Sequence, residues 1–180
     1  MKNNRLKYFI NKYLFTHSIY KDTMKPNIDI TEAHQKEIAQ LLNTLLADEY
    51  VLYTKTRNAH WNVQGPNFIE LHKFFETQYD ALDIIIDDAA ERVRALGHFA
   101  LGTLKDFITI TRLSEHNHDF SNDKHIIQTL LEDHETVIRF LRKDISFISE
   151  QNKDLGTADF LTGLMEQHEK MSWMLRAHLT

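Results

Sequence analysis

Apolar residues recur at helical spacing through four long stretches of the chain. The first carries Ile38, Leu41, Leu42, Leu45, Leu46, Leu52 and Tyr53. The second carries Phe68, Leu71, Phe75, Tyr79, Leu82, Ile86, Ala89 and Val93. Ile126, Ile127, Leu130, Leu131, Val137, Ile138, Leu141, Ile145 and Ile148 mark the third, and Leu161, Leu164, Met165, Met171 and Leu175 the fourth. Spacings of three and four keep each set on one helical face, so each stretch predicts an amphipathic helix. Thr31, followed by acidic Glu32, is the expected N-cap of the first helix. Gly65-Pro66 stops it, and Gly97 stops the second. The third is expected after Ser121. Gly156 punctuates, and Thr157 is the expected cap of the fourth. Residues 97–121 read as a long irregular connection with room for a short helix.

Composition agrees with this pattern. Only 5 Gly and 2 Pro occur in 180 residues, too few for the many turns of a strand-rich domain. The predicted fold is all-α: a ferritin-like four-helix bundle with a long connection between helices 2 and 3. The chain has no cysteine, which excludes disulfides, thiolate metal sites and cysteine nucleophiles. Any metal must be held by His, Asp and Glu. No apolar run approaches the ~18 residues of a membrane span, so a soluble, intracellular protein is expected.

Charge divides the chain. Residues 1–25 carry six basic groups against the single acid Asp22, which leaves the remainder at −10. Leu6, Phe9, Ile10, Tyr13 and Leu14 recur there at helical spacing, so 1–25 reads as a basic amphipathic extension to a domain over 26–180. Met24 is the alternative start, in which case the extension is a mis-assigned leader. If present, Lys2, Arg5, Lys7 and Lys12 are its candidate polyanion contacts.

The candidate chemistry lies on the second helix. His72 and Glu76 are four residues apart, and so are Asp87 and Glu91. At ~100° per residue, Glu76, Asp87 and Glu91 fall roughly 40°, 60° and 100° from His72, beside the apolar stripe. At ~1.5 Å per residue, His72 and Glu91 are roughly 28 Å apart, too far for one metal. The two pairs are nonetheless symmetric about a point between Ala81 and Leu82. Two copies of the helix crossing antiparallel there would bring His72 to the other copy's Glu91, and Glu76 to its Asp87. A twofold dimer would then form two identical sites. His60, before the Gly65-Pro66 turn, is placed to complete each one. Imidazole and carboxylate ligands suit Fe(II), Mn(II) or Zn(II).

With these residues in view, the sequence resembles the Dps family, the miniferritins. The resemblance rests on His60-Trp61-Asn62-Val63-Gln64-Gly65, Leu71-His72, Phe75-Glu76, Asp87 through Val93, and His168 through Ala177. It implies a bacterial cytoplasmic, in some members nucleoid-associated, homo-oligomer: a hollow dodecamer of twofold dimers. It also implies ferroxidase activity, with Fe(II) oxidised preferentially by hydrogen peroxide at inter-subunit di-iron centres and stored inside as ferric mineral, protecting DNA. The implied ligands are His60, His72 and Glu76, with Asp87 and Glu91 from the neighbour. Trp61 falls beside this centre, as an electron donor or radical trap, or simply for packing. Asp154 and Asp159 fall where the family places acids along iron pores, although a helix-start preference for acids explains Asp159 equally well. Some members hold DNA through basic tails, which gives Lys2, Arg5, Lys7 and Lys12 their implied partner. The alternative is mainly a DNA-binding structural shell.

Glu115 and His118 form an isolated Glu-x-x-His, read as a chance spacing or a loop contact. His134 and His168 lie on or beside apolar stripes and read as core or interface residues. Asp80 and Asp83 share the symmetric face and read as solvated.

Overall fold

A computed structural model describes residues 25–115 and 122–180. The basic extension with Lys2, Arg5, Lys7 and Lys12 lies outside the described residues, as do His118 and Ser121. Among the described residues five helices follow in order: α1 Glu32–Asn62, α2 Phe68–Ala95, α3 Leu104–Ile110, α4 Asp123–Phe147 and α5 Leu155–Ala177, with a π-helical turn, Ile148–Asn152, closing α4. The four long helices form the expected bundle, and α3 lies in the connection between the second and third of them. α1 packs chiefly on α2, and α4 on α5. Among the described residues, no helix is long and apolar enough to cross a membrane.

The helix ends follow local chemistry. Thr31 Oγ1 accepts from His34 N at 3.3 Å and caps α1. At the end of α2, His98 N donates to Val93 O and Gly97 N to Arg94 O, with Gly97 at φ +81°. This Schellman arrangement needs the left-handed region that glycine enters without strain. Asn122, adjacent to the expected Ser121, caps α4 through Lys124 N and His125 N.

The start of α5 departs from expectation. Gly156 and Thr157 lie inside the helix, and Asp154 is the cap, its Oδ1 accepting from Thr157 N at 2.9 Å. The reversal is made earlier, by the wide π turn and by Lys153 at φ +59°. Thr157 therefore acts from within the first turn, with its hydroxyl on Asp154 Oδ2. Arg92 on α2 completes the group, donating to Thr157 Oγ1 at 2.8 Å. Asp154→Ala should lower stability in urea unfolding by about 1–2 kcal/mol. Asp154→Asn, which keeps a capping oxygen, should cost less. Equal losses would place the effect in the Arg92 contact instead.

The apolar stripes meet in one core, in which Ile38, Leu42, Phe75, Leu82, Val137, Leu141 and Leu175 are essentially inaccessible. On α2, Ile85 takes a core position and Ile86 is only partly buried. Phe107 of α3 makes a second small core with Leu46 and Ala47, against which Tyr50, Ile86 and Ala90 pack. The Phe107 ring stacks on Tyr50 at 4.5 Å.

Polar contacts pin the long connection. Asn43 Oδ1 accepts from Leu101 N, and Lys55 donates from within the bundle to Ser114 O. Arg112 joins Asp48 on α1 to Asp144 on α4, at 2.7 and 3.0 Å, with its guanidinium over the Phe140 ring. Burial pushes the Asp48 carboxyl above its ordinary value, against the pull of Arg112 and the Thr111 hydroxyl.

Candidate metal centre

The Gly65-Pro66 turn folds the start of α2 back on the end of α1, and His60 meets His72 there. Their rings stack with centroids 3.7 Å apart and an interplanar angle of 22°. Each ring also bonds the other residue's backbone: His60 Nδ1 lies 2.7 Å from His72 O, and His72 Nδ1 lies 2.9 Å from His60 O. A carbonyl only accepts, so both Nδ1 atoms carry hydrogen. The neutral rings therefore keep the lone pair on Nε2, the arrangement a metal-binding histidine needs. His60 is buried and His72 half-buried.

Glu76 follows one turn after His72 and is exposed, with the Tyr79 hydroxyl 3.5 Å from its Oε1. Tyr79 also sets its ring edge against His60 at 5.2 Å. Partial desolvation, then the charges of Glu76 and Asp80, raises the Tyr79 phenol above its ordinary pKa. Arg57 lies over the rings of Tyr79, Trp61 and Tyr53 at 4.9, 5.2 and 5.5 Å and donates to the Tyr53 hydroxyl at 2.6 Å. The sequence reading missed this aromatic cage, although Tyr53, Arg57 and Trp61 recur every four residues on α1. Trp61 is 62% exposed, so packing within its own subunit does not account for it.

Asp87 and Glu91 lie two-thirds along α2 and onward, exposed, and the chain does not bring them to the histidines. Asp87 lines an open cleft with Tyr50, Asp83, Ile84, Ile86, Asp88 and Ala90. Ile84 within it is 64% exposed, and Leu104 and Ile108 on the outer side of α3 are 68% and 54% exposed. Among the described residues of one chain, no three His, Asp or Glu side chains converge to hold a metal ion.

The expected pore acids part company. Asp159 is exposed. Asp154 is 4% exposed, with one oxygen on the Thr157 backbone, the other on the Thr157 hydroxyl, and Arg92 beside it. In this chain the carboxylate is engaged in capping its own helix. Asp80 and Asp83 are exposed, as read. His134 and His168 are fully buried and bonded to each other.

The ferritin-like domain model matches residues 39–180. The chain is 42% identical over 153 residues to an uncharacterized low-temperature-induced protein of Nostoc, covering 85% of this chain and 86% of that protein. It is 36% identical over 140 residues to a DNA protection during starvation protein of Helicobacter pylori, covering 78% of this chain and 96% of that one. Among solved structures, the Dps protein of Vibrio cholerae O1, described as a ferritin-like diiron-carboxylate protein, superposes with a TM-score of 0.81 at 29% identity, covering 87% and 97%. DpsC of Streptomyces coelicolor gives 0.82 at 27%, covering 87% and 90%. The stacked histidine pair, the bundle and the relatives converge, and the chain belongs to the Dps family of ferritin-like proteins.

Proposed function

We propose that this protein oxidises and stores iron, with Fe(II) as substrate at centres shared between two subunits, and thereby protects DNA from oxidative damage. The observation that carries this reading is the reciprocal bonding of His60 and His72, which leaves two Nε2 lone pairs at the mouth of the α1–α2 turn. Glu76, one turn on, adds a carboxylate. Asp87 and Glu91 of a second copy complete the ligand set, giving a mixed imidazole–carboxylate site suited to Fe(II) and favouring Fe(III) once formed. Support for a second copy comes from the open cleft around Asp87 and from Ile84, an apolar side chain lining it that is left in water.

Two bound Fe(II) ions give one electron each, and the O–O bond of hydrogen peroxide accepts both. With two protons the products are two Fe(III) and two waters, and no hydroxyl radical leaves the site. The chain's part is to hold the ions close together and to supply anionic oxygens as their charge rises. Trp61, exposed and under the Arg57 cage, is the nearby oxidisable ring for a turnover that begins with one iron. Assembly into a dodecameric shell would store the product as ferric mineral, with Asp154 and Asp159 as its candidate pore acids.

The reading is tested by following Fe(II) oxidation optically under anaerobic conditions after adding peroxide. Wild type should oxidise fast and keep the mineral soluble, and Asp87→Ala should lose both. Slow, precipitating oxidation in both would remove the ferroxidase reading.

The charge division of the chain favours a second, compatible activity: DNA retention through Lys2, Arg5, Lys7 and Lys12. The remainder at −10 repels DNA, so binding rests on the extension and on many weak contacts displayed at once. A salt-sensitive gel shift with the full chain should vanish when translation starts at Met24. Retention by both forms would move the contact elsewhere, and by neither would remove DNA as a partner.

A further inference from the structure

Away from His60 and His72, the apolar interior is interrupted by a buried polar chain. Glu49 on α1, His134 on α4 and His168 on α5 are all inaccessible to solvent. His168 Nδ1 lies 2.9 Å from His134 Nδ1, and its Nε2 lies 3.0 Å from Glu49 Oε1 in a close but bent contact. Two imidazole nitrogens at that distance share one hydrogen: one donates, and the other accepts through its lone pair. With the His168 Nε2–H facing the carboxylate, its Nδ1 is the acceptor and His134 Nδ1 the donor. His134 Nε2 is then a lone pair without a hydrogen-bond partner among the described residues.

A further proton on His134 can only go to that Nε2. There it would make a buried cation with no acceptor, against a second imidazole. Burial first, then the facing His168, holds His134 well below the usual histidine range. The surrounding groups do not relieve it. Lys55 on α1 is already paired with Asp133 on α4, and α2 contributes the uncharged Gln78, whose amide reaches Met171 O on α5 at 3.5 Å.

We infer that the Glu49–His168–His134 chain is an acid-sensitive lock on the bundle, closed while His134 is neutral and opened when a proton on its Nε2 leaves a buried cation without an acceptor between α4 and α5. The sign follows from linkage. An unfolded histidine takes up a proton below about pH 6.5, whereas His134 in the fold resists it. The lock's contribution is therefore complete above that pH and declines as pH falls. Acidification would loosen α4 and α5 first, at the layer where they meet Glu49 of α1. The lock needs no metal and does not rest on the ferroxidase reading.

The test is amide hydrogen exchange on the iron-free full chain from pH 7.5 to 5, corrected for intrinsic exchange rates. In wild type, opening around residues 134 and 168 should increase as pH falls below about 6.5, by up to about tenfold per pH unit, the limit for one proton. His134→Gln offers an amide donor to His168 but does not titrate, so its opening should vary little over the same range. An unchanged pH response in that variant overturns the lock. If the variant fails to fold, wild type alone decides. Loss beginning at the His60–His72 turn, or protection independent of pH, overturns the inference.

Discussion

Mixed shells of Asp87→Ala and His72→Ala subunits should recover about a quarter of wild-type ferroxidase activity, although each variant alone loses at least about a hundredfold. The parental losses follow because even an outer partner of a metal ligand is worth about 10–100-fold, and these residues are proposed as ligands themselves. Recovery follows from twofold symmetry. In a mixed dimer the Asp87→Ala chain still offers His60, His72 and Glu76, and the His72→Ala chain still offers Asp87 and Glu91. One of the two sites is then intact and the other doubly defective. Random pairing makes half of the dimers mixed, hence about one site in four. Subunits would be co-expressed or refolded together, and peroxide-dependent Fe(II) oxidation measured per chain. Activity no higher than either parent would mean that each site draws its ligands from one chain, and the shared centre would be abandoned. The geometry within one chain explains the size of the expected effect. Asp87 and Glu91 lie roughly 22 and 28 Å along α2 from His72, too far for one metal site.

Arg112→Ala should be the most destabilising single change in the connection, by about 3–5 kcal/mol at neutral pH. Arg112 compensates Asp48, whose side chain is fully buried, and at the same time holds Asp144 on α4. Truncation would leave the Asp48 carboxylate inside the protein with the Thr111 hydroxyl at 2.9 Å and the backbone N–H of residue 112 at 2.6 Å, but no counter-charge. A pH series separates lost charge from lost packing. Burial already raises the Asp48 carboxyl, and removing Arg112 raises it further. Between the unfolded carboxyl's value and that raised one, the folded variant binds the extra proton. Its stability deficit should therefore shrink as pH falls toward 5. A deficit constant with pH would assign the loss to the Phe140 stacking and the connection's backbone instead.

Much of the fold could be read along the chain, because helix formation is a local matter. The stripes from Ile38 to Tyr53 and from Ile126 to Ile148 identify a buried face from spacing alone. Thr31 and Gly97 mark ends whose hydrogen bonds close within a few residues. Where the outcome depended on a neighbour, local reading failed. Asp154 caps α5 because a π turn and Lys153 reverse the chain ahead of Gly156, and it is buried because Arg92 arrives from α2. Ile85 lies deeper than Ile86 because Ile85 enters the main core between the helices, whereas Ile86 only borders the smaller cluster of Leu46, Ala47 and Phe107. Nothing in the local pattern distinguishes Asp48, buried under Arg112, from Asp83, left in water.

The candidate centre divides in the same way. The four-residue spacing of His72 with Glu76 and of Asp87 with Glu91, and the symmetry between the two pairs, belong to the sequence, since rise and turn per residue are constants of the helix. The sequence also determined that any ligands would be imidazole and carboxylate, because the chain has no thiol. The tertiary structure alone decided that His60 and His72 stack and bond each other's carbonyls, that Arg57 lies in a cage of three rings beside them, and that Glu49, His134 and His168 meet in the core. Each of these depends on the depth and register at which helices distant in sequence pack, and those are set by the whole core rather than by any one stretch of it.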